Sequence, residues 1–215
     1  MAVSIPTDRS TRSGGADGPR GGYAKGRATR QEIIRTAILV FADVGFHGAS
    51  LRDIAARVGI SHPGLLHHFP NKAALLMAVL EYRDAVDEES FADAAERGID
   101  YFDALLGVVE RNRLRRPLVE LFASLSTEAS SPDHPAHAYF ERRYASLVAD
   151  QAALLRERAA RGGLAPGVDP EQAARTVVAL MDGLQVQWLM SLGRPPADRV
   201  DMAADLRGYL NLILR

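Results

Sequence analysis

The chain has 215 residues, 47% of them hydrophobic, enough to bury a sizeable core in one or two domains; its lack of cysteine excludes disulfides, thiol catalysis and cysteine-ligated metals. No run of about 18 apolar residues is present, and the first 24 residues are polar and Gly-rich without the apolar centre of a signal peptide, so a cytoplasmic protein with no membrane partner is expected. The formal net charge of -1 is divided unevenly, since residues 1–72 hold ten Lys and Arg against five acids and the remainder is net acidic, the asymmetry of a chain that meets phosphate at one end only.

Residues 1–24 show no apolar period and are read as disordered. The basic stretch Arg20 to Arg27 at their end is either a solvated tail or an arm that touches nucleic-acid backbone or minor groove. Thr29 followed by Glu32 has the form of a capping box, and Gly45 ends the helix it opens; Ile33, Ala37, Val40, Phe41 and Val44 form its apolar stripe. Phe46, His47, Gly48 and Ala49 make the connection, with His47 exposed.

Ser50 to Phe69 is the most informative stretch. Leu51, Ile54, Ala55 and Val58 recur at helical spacing after a capping Ser50, with Asp53 three residues on. Gly59 supplies a left-handed stop, Ile60 turns inward, and Ser61 caps a second short helix that starts at His62. Two short helices joined by a tight turn are the sequence form of a helix-turn-helix, whose second helix enters the major groove of DNA with its first residues at the base edges. At those positions His62 can donate or accept a hydrogen bond, Leu65 can touch a thymine methyl and Gly64 permits close backbone approach. Pro63 is tolerated in a first turn, where amide hydrogens lack intrahelical partners, and Pro63 with Gly64 can equally serve helix initiation alone.

Ser50 to Phe69, with residues 28–45 before and 71–76 after, resembles the DNA-binding domain of the tetracycline-repressor (TetR) family. The resemblance rests on Ile54-Ala55, Val58-Gly59-Ile60-Ser61, Gly64-Leu65-Leu66, His68-Phe69-Pro70-Asn71-Lys72 and Leu75-Leu76. It implies that Lys72, with Ser50 and Arg52 as similar candidates, contacts the DNA backbone and positions the protein without reading sequence. The family usually carries a tyrosine at the position of His67; a histidine there can still donate to phosphate, and its protonation beside an anion predicts binding that strengthens as pH falls. His68 stays undecided between DNA contact and packing. Lys72 stands in the first turn of a fourth helix capped by Asn71, where negative charge is preferred, and a phosphate in front of that turn would resolve the conflict.

Beyond residue 85 only helical periodicity remains, with helices expected near 99–113, 117–129 and 134–161, then 171–192 and 197–214, and no alternating β-branched run. Arg111, Arg113, Arg115 and Arg116 form a basic helix junction, either solvated or able to bind an acidic ligand or DNA. His134 and His137 lie three apart on one possible helix face, but a proline in the first turn and the want of a third ligand argue against a metal, and no cofactor is expected. Residues 171–192 are apolar nearly all round, which fits a helix covered on two sides, and 197–214 carry one apolar face. The resemblance implies that these two helices form a four-helix bundle across a two-fold axis, whereas an internal core without a partner is the alternative. Candidate walls of a small-molecule pocket are Tyr101, Phe102, Leu105, Phe122, His137, Phe140, Tyr144, Met181, Gln185 and Trp188.

The expected fold is thus all-α. A disordered arm (1–24) precedes a helix-turn-helix DNA-binding domain (25–84, motif 50–69) and a helical effector-binding and dimerisation domain (85–215). The expected function is that of a homodimeric, one-component transcriptional regulator, a repressor as the resemblance implies, which binds a palindromic double-stranded DNA operator through Ser50, Arg52, Ser61, His62, Pro63, Gly64, Leu65, His67 and Lys72 and answers a small-molecule effector. A DNA-organising protein of the same fold with little sequence preference, or an all-α enzyme, are the alternatives, and no catalytic motif points to the second.

Overall fold

The structure is a computed structural model that describes residues 19–215, with side chains described from residue 24. Among the described residues there are nine α-helices and no strand: α1 (Pro19–Gly48), α2 (Leu51–Val58), α3 (His62–His68), α4 (Lys72–Glu96), α5 (Tyr101–Asn112), α6 (Arg116–Glu128), α7 (His137–Ala160), α8 (Pro170–Ser191) and α9 (Met202–Ile213). The proposed disordered arm lies outside the described residues as far as residue 18; from Pro19 the backbone is already helical.

Helix α1 therefore does not begin at Thr29. The Thr29 hydroxyl donates back to the Lys25 carbonyl at 3.0 Å, inside the helix rather than at its cap. The break comes where Gly45 predicts it, at φ 72, after which one further turn carries Phe46 and His47 to Gly48. Ile33, Ala37, Val40 and Phe41 are buried, but Val44, the last residue before the break, is 50% exposed. Phe46, expected in a connection, is core instead.

Two apolar cores follow. In the first, α1 to α4 pack together with Leu121, Phe122 and Leu125 of α6 and Tyr139 and Phe140 of α7. In the second, α5 and α9 pack with Ala152 and Leu155 of α7 and with Ala173, Ala174, Val177 and Trp188 of α8. Helix α4 links the two halves: its first half lies in the first core, and Phe91 packs against the second. At 25 residues it is roughly 37 Å long.

The body helices lie close to their predicted spans. The last begins at Met202 rather than 197, because Pro195 and Pro196 divert the chain through a short 3-10 turn (Pro196–Asp198) and Asp201 caps the new start by accepting from the Ala204 amide at 3.1 Å. His134 precedes α7 instead of lying within it, so His134 and His137 do not share a helix face.

Candidate DNA interface and ligand cavity

The turn between α2 and α3 is built from local capping bonds. Ser50 Oγ accepts from the Arg52 amide at 3.2 Å to open α2. At the other end Gly59 sits at φ 78; its amide donates to the Ala56 carbonyl at 3.1 Å and the Ile60 amide to that of Ala55 at 3.0 Å, the crossed pair that stops a helix on a left-handed residue. Ser61 Oγ then accepts from the Gly64 amide at 3.1 Å. A Cβ on Gly64 would stand 3.2 Å from that oxygen, so a larger residue there crowds the cap. Pro63 occupies the first turn as its missing donor allows.

Of the proposed DNA contacts, Arg52, Ser61, Pro63 and His67 are exposed, and Ser50, His62, Gly64 and Lys72 are half-buried. Leu65 is not available to a thymine methyl. It is fully buried in the first core, and its carbonyl accepts from the Phe69 amide at 2.9 Å, so it fastens α3 to α1 and α4. His67 and His68 meet edge to face, ring centres 5.7 Å apart, and the Arg30 guanidinium lies 4.9 Å from the Phe69 ring centre behind them.

Lys72 has an intramolecular role that the sequence did not disclose. Its ammonium donates to the carbonyls of His47 at 3.1 Å and Ala49 at 3.0 Å and lies 4.7 Å from the centre of the Phe46 ring. A cation on the last carbonyls of α1 complements that helix end. This accounts for the lysine at the α4 start without a phosphate, and leaves one of its three N–H groups for DNA.

A cavity of about 770 Å³ opens between α4, α5, α6, α7 and α8. Its wall includes seven of the sequence candidates, Tyr101, Leu105, Phe122, Phe140, Tyr144, Met181 and Gln185. The other three point elsewhere. Phe102 and Trp188 are buried in the second core, while His137 Nδ1 is 2.8 Å from the Ala129 carbonyl, closing the α6–α7 connection.

Sequence reasoning missed the charged part of the wall. Asp84 accepts from the Tyr139 hydroxyl at 2.7 Å and from Arg143, and the Arg83 Nε lies 3.7 Å from Asp87. The Arg83 guanidinium stacks 3.7 Å from the Phe122 ring centre, and burial, then the charge of Arg143, lowers its affinity for its proton. Across the cavity the Tyr144 hydroxyl donates to Asp182 at 2.7 Å; burial first, then that bond, pushes its pKa up to about 12. Burial likewise raises Tyr139 and Tyr101, so all three phenols remain donors. Charged residues on helix faces that the apolar period assigns to the interior, Arg83 above all, were the available signal.

The wall carries five carboxylates (Asp84, Asp87, Glu88, Asp150, Asp182) against three guanidiniums (Arg83, Arg142, Arg143) and is rich in aromatic rings. Two of the arginines already face carboxylates of their own. Such a space suits a small organic molecule that presents apolar surface and either no charge or a positive one.

Residues 33–79 match the family described as bacterial regulatory proteins, tetR family, and residues 103–215 match BetI-type transcriptional repressor, C-terminal. The chain is 27% identical over 199 residues to the HTH-type transcriptional regulator TtgR of Pseudomonas putida, covering 85% of this chain and 88% of that one. Over 52 residues it is 46% identical to the class C tetracycline repressor of Escherichia coli, a match that spans only 24% of either chain. In three dimensions it resembles a transcriptional regulator from Saccharomonospora viridis solved in complex with choline, with a TM-score of 0.71 at 23% identity over 88% of this chain and 99% of that one. Among the described residues no helix is long and apolar enough to cross a membrane.

Proposed function

Because the chain belongs to the TetR family of DNA-binding, ligand-responsive transcriptional repressors, we propose that it acts in the cytoplasm as a homodimer on a near-palindromic operator and that occupation of the cavity releases it. The observation that carries this reading is the reach of α4. Its first residue, Lys72, holds the end of α1 beside the DNA-reading helices, and Arg83, Asp84, Asp87, Glu88 and Phe91 of the same helix line the cavity. A ligand that repositions the cavity half of a packed helix also repositions the half beside DNA. It does so only through its difference in affinity for the two arrangements; a coupling of ~1 to 3 kcal/mol lowers operator affinity roughly 5- to 150-fold.

The base-facing role falls to His62, with Pro63 and Gly64 allowing close approach, and Ser50, Arg52, Ser61 and His67 serve as backbone contacts, with Lys72 contributing at most its one remaining N–H. Dimerisation through α8 and α9 is supported by Val186 and Met190, one turn apart on α8, and Leu212 on α9, which are 39%, 76% and 73% exposed. The effector class proposed is a small organic cation with apolar surface, on the strength of the acidic, aromatic wall; the likeness to a choline-bound regulator agrees with it in fold only.

Two measurements test this reading. Light scattering after size exclusion should give a dimer that Met190→Glu combined with Leu212→Glu converts to monomer with loss of DNA binding; a wild-type monomer that binds DNA fully would contradict it. Thermal-shift screening should find stabilisation by tetraalkylammonium compounds and none by matched carboxylates, and the reverse ranking would exclude the proposed effector class.

A further inference from the structure

His47, Glu128 and His134 come from three separate segments and meet where the end of α1 abuts the α6–α7 connection. One ligand-capable atom of each lies within 4.8 Å of the other two. Two of those groups are buried without a partner: Glu128 Oε2 and His134 Nε2 make no hydrogen bond and stand 3.8 Å apart, too far to bond each other. His134 is only 8% exposed, and a buried polar atom left without a partner destabilises the fold. A pair of them facing one gap marks a place for an atom that binds both.

We propose that His47, Glu128 and His134 form a binding site for one divalent transition-metal ion of the zinc type, which ties the end of α1 to the effector-binding body. Two imidazoles and a carboxylate are a donor set suited to such an ion, whereas calcium and magnesium take oxygen ligands. Ligands about 2.0–2.2 Å from a shared ion stand roughly 3–3.5 Å apart, so the cluster closes on the metal by about 1 Å of side-chain movement. The Glu128 carboxylate is already oriented, since its Oε1 accepts from the Ser124 hydroxyl at 2.8 Å. His134 Nδ1 accepts from the Ala136 amide at 3.2 Å, which places the ring proton on Nε2 in the metal-free chain. Coordination moves that proton to Nδ1, and the Ala136 bond is exchanged for the metal bond. Lys72, held by the His47 carbonyl, adds a positive charge nearby that the Glu128 carboxylate offsets. Three protein ligands leave a fourth position for water. An ion here would stiffen the joint between α1 and α6, which bear on the DNA-reading and cavity halves respectively.

The test uses the full chain, stripped with a chelator and titrated with Co²⁺ while visible absorption is followed. One Co²⁺ per protomer, with the intense bands of four- or five-coordination and displacement by Zn²⁺, is expected. His134→Ala, Glu128→Gln and His47→Ala should each weaken binding tenfold or more, whereas His67→Ala, in the other histidine pair, should leave it unchanged. His47 is exposed and Glu128→Gln retains its shape, so both variants remain informative where His134→Ala fails to fold. Binding that survives His47→Ala and Glu128→Gln, or only the weak spectrum of a hydrated ion, overturns the proposal.

Discussion

Replacing Lys72 with methionine retains most of the side chain and removes only its charge and donors. Two hydrogen bonds from an ammonium to backbone carbonyls are lost, together with its contact with the Phe46 ring. Hydrogen bonds to charged groups contribute ~1.5–3 kcal/mol each when well shielded, and a cation over an aromatic ring contributes ~0.5–1 kcal/mol at an exposed site. Lys72 is half-buried, so water recovers part of this, and a net loss of about 2–3 kcal/mol follows. In a chain of this size each kcal/mol lowers the melting temperature by ~2–4 °C, so circular dichroism should record a fall of about 4–12 °C. The companion assay is the slope of log affinity against log salt for an operator duplex; a phosphate contact made by the third N–H adds roughly one unit, which the variant would lose. An unchanged melting temperature would refute the intramolecular role, whatever the slope does.

Other substitutions separate base reading, core packing and cavity structure. His62→Ala should relax preference at one operator position at a cost of ~1–3 kcal/mol, and His67→Ala should weaken all duplexes alike; an unaltered selection profile for the first returns His62 to a structural role. Leu65→Ala, at a fully buried site, should destabilise the fold by ~2–5 kcal/mol while the folded fraction keeps its sequence preference, whereas a changed preference at full stability would restore Leu65 to the interface. Asp84→Asn withdraws the negative charge that Tyr139 and Arg143 share at the cavity wall, with an expected loss of about 2–3 kcal/mol by thermal or urea unfolding; no change would mean that the cluster is not held together by its charges.

The helix-turn-helix was legible because everything that makes it is local. Ser50, Gly59 and Ser61 act on amides within a few residues, and the period of Leu51, Ile54 and Val58 needs no knowledge of the rest of the chain. Contacts that close over long separations were not. Lys72 meets carbonyls 23 and 25 residues away, and Asp84 meets partners 55 and 59 residues on, so neither arrangement leaves a sequence period. In α3, only seven residues long, Leu65 and Leu66 are adjacent and either could face outward; the packing of α1 and α4 selects Leu65 for the core. The cavity was half readable for a related reason. Apolar wall residues follow helical faces, whereas Phe102 and Trp188 share those faces but turn to the second core. Thr29 shows the converse: a capping-box pattern has no effect where the preceding residues are themselves helical.

The most direct measurement is a selection of protein-bound fragments from the native genome, carried out with the full chain and repeated in the presence of a small-molecule extract of the same cells. A ligand-responsive dimer should enrich a near-palindromic site whose half-sites lie about one helical turn apart, ~10³ to 10⁷ tighter than random DNA, and the extract should reduce that enrichment. Recovery of random sequence, or of a site without two-fold symmetry that no extract affects, would contradict a regulator whose DNA spacing is set by what its cavity holds.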